Sequence, residues 1–165
     1  IFRFLLKGKS RMPVAIMAMG IVFNLLNGMM QAGGLFYFAP EGLYADGWAY
    51  LLKPHALLGI ILFFAGMFVN LHSDYVIRHL RRPGDTKHYL PGKGLYRYVT
   101  SANYFGELVE WTGFAILTAS PAAWVFVWWT FANLVPRADA IHHRYREEFG
   151  DEAVGKRKRI IPFLY

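Results

Sequence analysis

The sequence contains no cysteine, and this absence excludes several kinds of chemistry. A chain of 165 residues without a thiol forms no disulfide, offers no thiolate to a metal and has no cysteine nucleophile. Charged residues are also sparse at 18%, against about 25% in ordinary soluble domains. Neither a GxGxxG sequence nor a P-loop is present, so side chains rather than a glycine-rich loop would have to hold a nucleotide.

Apolar and aromatic residues are abundant instead, at 55% and 18%, and the apolar residues form long runs. A helix that crosses a membrane needs about 20 mainly apolar residues. Four segments meet this requirement, residues 13–38, 54–73, 103–119 and 121–137. We therefore predict an all-α fold, a multi-pass bundle of transmembrane helices with four spans in this chain.

The basic residues lie on one side of this predicted bundle. All 18 Lys and Arg residues except Lys53 fall at Arg3, in segments 7–11 and 78–97, or in the tail 137–159. The positive-inside rule makes that side cytoplasmic. Membrane topology thus explains the net charge of +7 without nucleic acid as a partner. We expect an integral membrane protein of the endoplasmic reticulum or a bacterial inner membrane, with its C-terminal tail in the cytoplasm.

The chain begins at Ile1, and residues 1–6 are typical of the end of an earlier membrane helix. We therefore expect upstream helices of the same protein to pack against this chain.

A polar stripe follows the second apolar run directly. Residues 57–69 carry no polar side chain. Four polar residues then follow at steps of four, four and three, namely Asn70, Asp74, Arg78 and Arg81. On one continuous helix these side chains would share a face. Charged groups at the end of a membrane helix are typical of a helix that lines a polar cavity, so we expect a functional site there.

Three amides recur at steps of three and four in the first predicted span: Asn24, Asn27 and Gln31. Amides exposed to lipid are costly, so these side chains are predicted to face protein or a cavity. One interpretation is hydrogen bonding between helices, with neighbouring glycines allowing close packing. The other is a polar rim around a substrate chamber. The glycines are Gly28, Gly33 and Gly34.

Two glutamates one turn apart, Glu107 and Glu110, lie in the third predicted span beside Trp111. A carboxylate inside a membrane helix is costly and marks a candidate functional site. The alternative is that both carboxylates face water at the membrane interface. Neither glutamate has a histidine at metal-ligand spacing, and we predict no metal site.

The fourth predicted span ends at Arg137, and His142 and His143 follow. Adjacent residues on a helix point about 100° apart, so these histidines do not resemble a metal pair. A guanidinium presents a planar fork suited to phosphate oxygens, and we predict such a contact for Arg137. Binding to anionic lipid headgroups is the alternative, which fits the basic tail 156–159 better.

The predicted topology brings these polar groups into one cytoplasm-facing mouth. Amides, carboxylates and guanidiniums together suit a ligand with phosphates, ribose hydroxyls and a base or carboxamide. A nucleotide cofactor fits that description. The residues are Asn70, Asp74, Arg81, Asn103, Glu107, Arg137 and Tyr145.

Several motifs that include these residues occur in order along most of the chain. They are Asn27-Gly28-x-x-Gln31, Asn70-x-His72-Ser73-Asp74-x-x-x-Arg78-x-x-Arg81, Gly94-Leu95-Tyr96-x-Tyr98-Val99, Ala102-Asn103-Tyr104-Phe105-Gly106-Glu107-x-x-Glu110-Trp111, Asn133-Leu134-Val135-Pro136-Arg137-Ala138 and Ile161-Pro162-Phe163-Leu164. In these motifs the chain resembles the steroid 5α-reductase family. Residues 1–165 would then be the C-terminal membrane part of one such domain.

The resemblance implies a seven-span reductase that uses NADPH to saturate the double bond of an enone, typically the Δ4 bond of a 3-oxo steroid. Hydride would pass from the nicotinamide to the β-carbon while an acidic hydrogen bond polarises the ketone. The family holds its cofactor among the last helices at the cytoplasmic side. The implied cofactor contacts are Asn70, Asp74, Arg81, His88, Tyr98, Asn103, Glu107, Arg137, His142 and Tyr145.

The chain departs from the family pattern in places that bear on the phosphate end of the cofactor. His88 stands where the family often has tyrosine. Only His142 falls in register with the family's histidine pair, because Ile141 takes the other position. Residues 151–154 replace the usual acidic-Tyr-Pro sequence.

The family places the residues that bind the substrate ketone on earlier helices, which would precede Ile1. We therefore name no catalytic residue in this chain and expect it upstream. Asn27, Gln31, Glu110 and Trp111 are predicted to line the substrate chamber. The expected partners are a steroid or other lipophilic enone, membrane lipid and the upstream helices.

Three rival functions stay open. An isoprenylcysteine methyltransferase-like enzyme would bind S-adenosylmethionine instead of NADPH. A sterol or enoyl-CoA reductase would keep NADPH and change the substrate. A non-enzymatic lipid-binding or scaffold protein would need neither Arg81 nor Glu107 for its function.

Overall fold

The computed structural model describes residues 13–82, 85 and 87–165. Four long helices form the fold: α1 Val14–Phe36, α2 Pro54–Arg78, α3 Ala102–Thr118 and α4 Pro121–Phe149. Shorter helical segments connect or follow them, namely Gly47–Leu52, Gly94–Arg97 and Asp151–Val154. Within the described ranges no strand forms, and an isolated bridge joins Val99 to Lys158. The predicted all-α class is confirmed, while the predicted helix end at 1–6 lies outside the described residues.

Two helices, α1 and α2, are long and apolar enough to cross a membrane. They contain 23 and 25 residues, against the roughly 20 that a crossing needs. α3 has only 17 residues and contains two glutamates, and the second half of α4 is strongly charged. The count of four spans therefore stays a prediction.

α2 ends at Arg78, so the prediction that Arg81 shares its polar face is wrong. The His79 amide bonds the carbonyls of both Tyr75 and Val76, and its backbone has left helical geometry at φ −100°, ψ 7°. The following sequence cannot resume the helix easily, because a residue before proline disfavours the α region and Arg82 precedes Pro83. Arg81 lies in the connection instead.

α4 continues well beyond Arg137, the residue at which the fourth predicted span ends. Pro136 lies inside the helix, where a proline costs about 3 kcal/mol. A buried stripe at steps of four offsets this cost, since Leu134, Ala138 and His142 all pack inward. The polar residues after Arg137 therefore extend the same helix.

Glycines hold α2 and α3 in backbone contact along their length. A Cβ at Gly66 would lie 2.7 Å from the Glu110 Cα, and one at Gly106 would lie 2.5 Å from the Asn70 nitrogen. Gly59 and Gly113 make the same kind of contact one level away. These glycine contacts therefore determine which polar residues of α2 and α3 lie close to each other.

The glycines expected to pack α1 behave differently from one another. A Cβ at Gly34 would meet the Ala122 Cβ at 2.6 Å, as expected for close packing between α1 and α4. Gly33 only faces Phe38, and Gly28 has no atom within 4 Å in the described part of the chain.

The C-terminal tail fixes the start of α3. The amides of Thr100 and Ser101 bond the carbonyls of Lys158 and Arg159 at 2.9 and 3.1 Å. Ile160 is fully buried in a cluster with residues of α3 and α4. The tail therefore holds the first turn of α3 against α4, which positions the polar residues on that turn.

At the opposite end, two tyrosines of the α1–α2 connection cap α3. The Tyr44 hydroxyl donates to the Thr118 carbonyl at 2.5 Å, and the Tyr50 hydroxyl donates to the Leu117 carbonyl at 2.8 Å. The last carbonyls of a helix lack partners within the helix, so these bonds satisfy them.

Candidate functional site

Asn103 lies on the first turn of α3 beside a buried tyrosine. Tyr96, from the short helix Gly94–Arg97, is only 1% exposed, and its hydroxyl donates to the Asn103 Oδ1 at 3.4 Å. Burial, reinforced by neighbouring ionisable groups including Tyr145, raises the pKa of Tyr96 well above its usual range. The hydroxyl therefore stays protonated at every physiological pH and acts as a fixed donor.

Asp74 is a residue of α2 that lies near Tyr96 and α3. It is half-buried, with its Oδ2 3.8 Å from the Arg78 Nη2. Its charge is close enough to influence both Tyr96 and Glu107. Asp74, a member of the stripe predicted on α2, therefore lies near Glu107 of α3.

Glu107 and Arg137 meet in a cleft between three helices. The cleft has a volume of about 440 Å³, and it is lined by both residues and by apolar side chains of α1 such as Met19 and Phe23. The Glu107 carboxyl is within electrostatic range of the guanidinium of Arg137. A carboxylate and a guanidinium therefore share a cleft whose other wall is apolar.

Tyr145, on α4, also lies near Tyr96. It is half-buried, and burial raises the pKa of its hydroxyl. It lies within electrostatic range of Arg81, which reaches this region from the connection after α2 although it has left the helix. These residues are linked by the Tyr96–Asn103 hydrogen bond and by electrostatic influence, and we name them the polar cluster: Asp74, Tyr96, Asn103, Glu107, Arg137 and Tyr145.

Asn70 and Glu110 face each other where α2 and α3 are closest. The backbone of Asn70 packs on Gly106 and the backbone of Glu110 packs on Gly66, and the Asn70 amide is placed to bond the Glu110 carboxyl. The two glutamates of α3 thus point to different neighbours, Glu107 toward the cleft and Glu110 toward α2.

Trp111 forms part of an aromatic layer next to the cleft. The Trp111 ring meets the Phe126 ring edge-on, with 4.5 Å between the ring centroids. The Phe23 ring of α1 lies 6.3 Å from the Phe126 ring. This layer lies between the helices that carry the cleft.

Three of the expected cofactor residues make their contacts elsewhere. The His88 Nδ1 lies 2.6 Å from the Glu148 Oε1. His142 is buried with its Nδ1 3.3 Å from the Thr100 Oγ1. The Tyr98 ring packs against Phe163 at 5.1 Å. Their role in binding a cofactor stays a prediction.

The amides of α1 bond to each other and to α4. The Gln31 Nε2 donates to the Asn27 Oδ1 at 3.3 Å and to the Ala122 carbonyl at 3.2 Å. The Asn24 amide donates to the Gly20 carbonyl of its own helix. The interpretation as bonding between helices is thus supported for Gln31, and a role of Asn27 and Gln31 in a substrate chamber stays a prediction.

Sequence reasoning did not assign a role to Tyr96, although the residue lies within one of the motifs. Its position in a short connection has no periodicity that would place it. The signal available was a tyrosine seven residues before Asn103, preceded by Gly94, which adopts a positive φ of 60°. A turn at that glycine directs the tyrosine back toward α3.

Comparison with known proteins gives the family. The family model described as 3-oxo-5-alpha-steroid 4-dehydrogenase matches residues 10–165. The protein named 3-oxo-5-alpha-steroid 4-dehydrogenase 1 of Homo sapiens is 42% identical over 165 residues, which cover 100% of this chain and 61% of the relative. Its counterpart of the same name in Macaca fascicularis is also 42% identical over 165 residues, with coverages of 100% and 60%.

A plant relative is similar over nearly the same region. The steroid 5-alpha-reductase of Arabidopsis thaliana is 36% identical over 162 residues, which cover 96% of this chain and 59% of the relative. The chain thus spans about three fifths of the length of these relatives. All four helices and the whole polar cluster lie within the region that the family model matches. The chain belongs to the 3-oxo-5-alpha-steroid 4-dehydrogenase family, the steroid 5α-reductases, as its motifs predict.

Proposed function

We propose that this chain is the cofactor-binding part of a membrane-embedded, NADPH-dependent reductase. The reaction is saturation of the C=C bond of an enone, with the Δ4 bond of a 3-oxo steroid as the favoured substrate. The observation that carries the proposal is the convergence of α2, α3, α4 and the short helix Gly94–Arg97 on one polar cluster. The names of the family's curated members supply the reaction class.

The donor set of the polar cluster fits a dinucleotide. Arg137 and the neighbouring Arg81 supply guanidiniums for phosphates. Asp74 and Glu107 can accept hydrogen bonds from ribose hydroxyls or a carboxamide amide. The Tyr96 hydroxyl occupies the Asn103 Oδ1, which leaves the Asn103 amide nitrogen free to donate to a ligand.

Bound NADPH would supply the hydride, and the residues of this chain would hold and orient it. Glu107 and Arg137 would fix one part of the cofactor at the cleft, while Tyr96 and Asn103 would fix another through hydrogen bonds that need no change of protonation. The apolar wall of the cleft, from α1, suits a lipophilic substrate arriving from the membrane. The group that polarises the ketone would come from helices preceding this chain.

The membrane placement follows from α1 and α2. We propose four crossings in this chain and seven in the whole protein, with the basic connections and the C-terminal tail in the cytoplasm. α1 leaves most of its apolar side chains exposed, among them Val14 at 75% and Met29 at 71%. Lipid and the upstream helices would cover them.

The decisive experiment compares Asp74→Asn and Glu107→Gln with wild type in the full-length protein. Loss of a hydrogen bond to a charged group costs about 1.5–3 kcal/mol, so each change should weaken NADPH binding roughly 10-fold or more. Titration of tryptophan fluorescence with NADPH measures the affinity. NADPH consumption with a panel of 3-oxo-Δ4 steroids measures the activity.

Glu147→Gln is the matched control, because Glu147 is an exposed glutamate of α4 outside the polar cluster. It should leave NADPH affinity unchanged. Unaltered affinity in both cluster variants would overturn the proposal. Saturable binding of S-adenosylmethionine with no response to NADPH would favour the methyltransferase-like alternative.

A further inference from the structure

A second cleft lies beside the C-terminal tail, and none of the residues that line it belongs to the polar cluster. It has a volume of about 520 Å³ and is lined by basic and aromatic side chains, among them Arg97, Lys156, Lys158, Tyr98 and Phe163. Among the residues that the structure describes, no acidic side chain lines it. This surface, which we call the tail cleft, attracts anions by composition alone.

Several basic residues in or near the tail cleft have partners, and the Arg157 Nη1 of its lining donates to the Pro91 carbonyl at 2.9 Å. Arg144 pairs with Glu148, and Arg146 pairs with Asp151. By contrast, the part of the chain that the structure describes offers no carboxylate ion pair to Arg97, Lys156 or Lys158. Their positive charge is therefore available to a ligand.

The tail cleft adjoins an apolar groove at a shared lining residue. Tyr98 lines both the tail cleft and a groove of about 260 Å³ that runs along α2, where Phe68 and Leu95 contribute. Phe68 is 70% exposed on α2, one of the helices apolar enough to cross a membrane. A charged recess and an apolar surface thus adjoin at Tyr98, next to a helix that is apolar enough to cross a membrane.

We propose that the tail cleft and this groove together bind an anionic phospholipid, with its headgroup phosphate at Lys156, Lys158 and Arg97. The acyl chain lies in the groove against Phe68 and Leu95. Exposed Tyr98 and Phe163 belong at the level of the headgroups, where aromatic side chains gather in membrane proteins. Free phosphate would satisfy the cations and leave the apolar groove unfilled, so the lipid is the occupant that uses both parts.

The inference rests on the membrane placement proposed above and does not depend on the cofactor. It is tested on the full-length protein in detergent by adding dioleoyl-phosphatidylglycerol or dioleoyl-phosphatidylcholine and counting retained lipid by native mass spectrometry. Wild type should retain phosphatidylglycerol in preference to phosphatidylcholine. Each lysine near an anionic headgroup contributes about fivefold in affinity, so Lys156→Gln with Lys158→Gln should reduce that preference by roughly 25-fold.

Lys93→Gln is the matched control, since Lys93 is an exposed lysine of the same basic side that lines neither the tail cleft nor the groove. It should keep the lipid preference of wild type. A preference that survives in the double variant, or falls equally in the control, overturns the proposal. Inorganic phosphate that displaces the lipid at millimolar concentration also overturns it, because the groove would then contribute nothing.

NADPH affinity of the double variant separates this inference from the proposed function. The lipid proposal expects that affinity to stay at the wild-type value. A parallel loss of NADPH binding would assign the tail cleft to the cofactor and overturn the lipid site while leaving the proposed reductase intact. If the polar-cluster variants keep the NADPH affinity of wild type while the lipid preference behaves as expected, the proposed reductase is overturned and the lipid site stands.

Discussion

At the scale of single residues, burial and hydrogen bonds from arginines shift the pKa of several groups. Tyr96 and Tyr145 are held protonated because burial raises the pKa of both hydroxyls. Asp139 and Asp151 are held ionised, because Arg159 and Arg146 donate hydrogen bonds that lower the pKa of each carboxyl. These two tyrosines and two aspartates therefore keep fixed protonation states near neutral pH.

His142 makes the stability of this end of the fold dependent on pH below neutrality. Burial, with the nearby Arg159 and Arg146, lowers the pKa of His142 below its usual value of about 6.5. The folded state thus disfavours the proton that the unfolded chain accepts. The contribution of His142 to the free energy of unfolding is complete above pH 6.5. It is lost progressively as the pH falls toward the lower pKa of His142 in the folded state.

We expect the Tm of the full-length protein, followed by intrinsic fluorescence without NADPH, to fall between pH 7.5 and pH 5.5. In His142→Gln that fall should be smaller, because the titrating group is gone. His143→Gln, at the exposed neighbouring position, should show the wild-type slope. An identical slope in all three proteins would exclude His142 as the source of the pH dependence.

At the scale of the helices, the contact between α2 and α3 positions the site. Gly66 and Gly106 bring Asn70 and Glu110 within one turn of each other across the helix pair. A Cβ at either glycine would strike backbone atoms that cannot move without separating the helices. Overpacking of this kind costs typically 1–3 kcal/mol.

Gly66→Ala and Gly106→Ala should therefore lower the free energy of unfolding by about 1–3 kcal/mol each and weaken NADPH binding as well. Gly28→Ala is the matched helical control, because Gly28 meets no atom within 4 Å in the described chain. Alanine is about 0.5–1 kcal/mol better than glycine within a helix, so the control should be neutral or stabilising. Equal losses in all three variants, measured by thermal unfolding, would contradict this role of the α2–α3 contact.

The helices were predictable from the sequence, and their pairing was not. Long apolar runs between basic clusters predict α1 to α4 to within a few residues at most ends, because burial in lipid needs length and composition alone. The length of α4 beyond the fourth predicted span depends on tertiary packing, since buried Ala138 and His142 sustain the helix past Pro136. Which glycines face each other depends on the register of two helices, and a single sequence carries no record of that register.

The polar cluster was predictable only where helical spacing places it. Asp74 and Glu107 lie on regular helices, so their positions follow from the spacing of polar residues. Tyr96 lies in the connection between α2 and α3, whose path depends on the positive φ of Gly94 and on the tail at Lys158. Such tertiary contacts leave no periodic pattern.

At the scale of the whole molecule, the contacts at the two ends of α3 bear on how many helices cross a membrane. The tyrosine-capped end of α3 lies next to the α1–α2 connection, and the tail-bound start of α3 lies with the basic segments. α3 and α4 therefore connect the same two ends that α1 and α2 connect. If α1 and α2 cross the bilayer, α3 and α4 must span the same distance although α3 is short.

Single cysteines introduced into an otherwise cysteine-free full-length protein test this topology, and this part of the sequence already contains none. Trp48→Cys and Pro121→Cys, both at exposed positions, should react with a membrane-impermeant maleimide from one side only. Lys93→Cys and Glu147→Cys, also exposed, should react only from the other. Labelling is measured on sealed vesicles before and after permeabilisation. Reaction of Pro121→Cys from the same side as Lys93→Cys would mean that α3 does not cross, and the count of spans in this chain would fall to two.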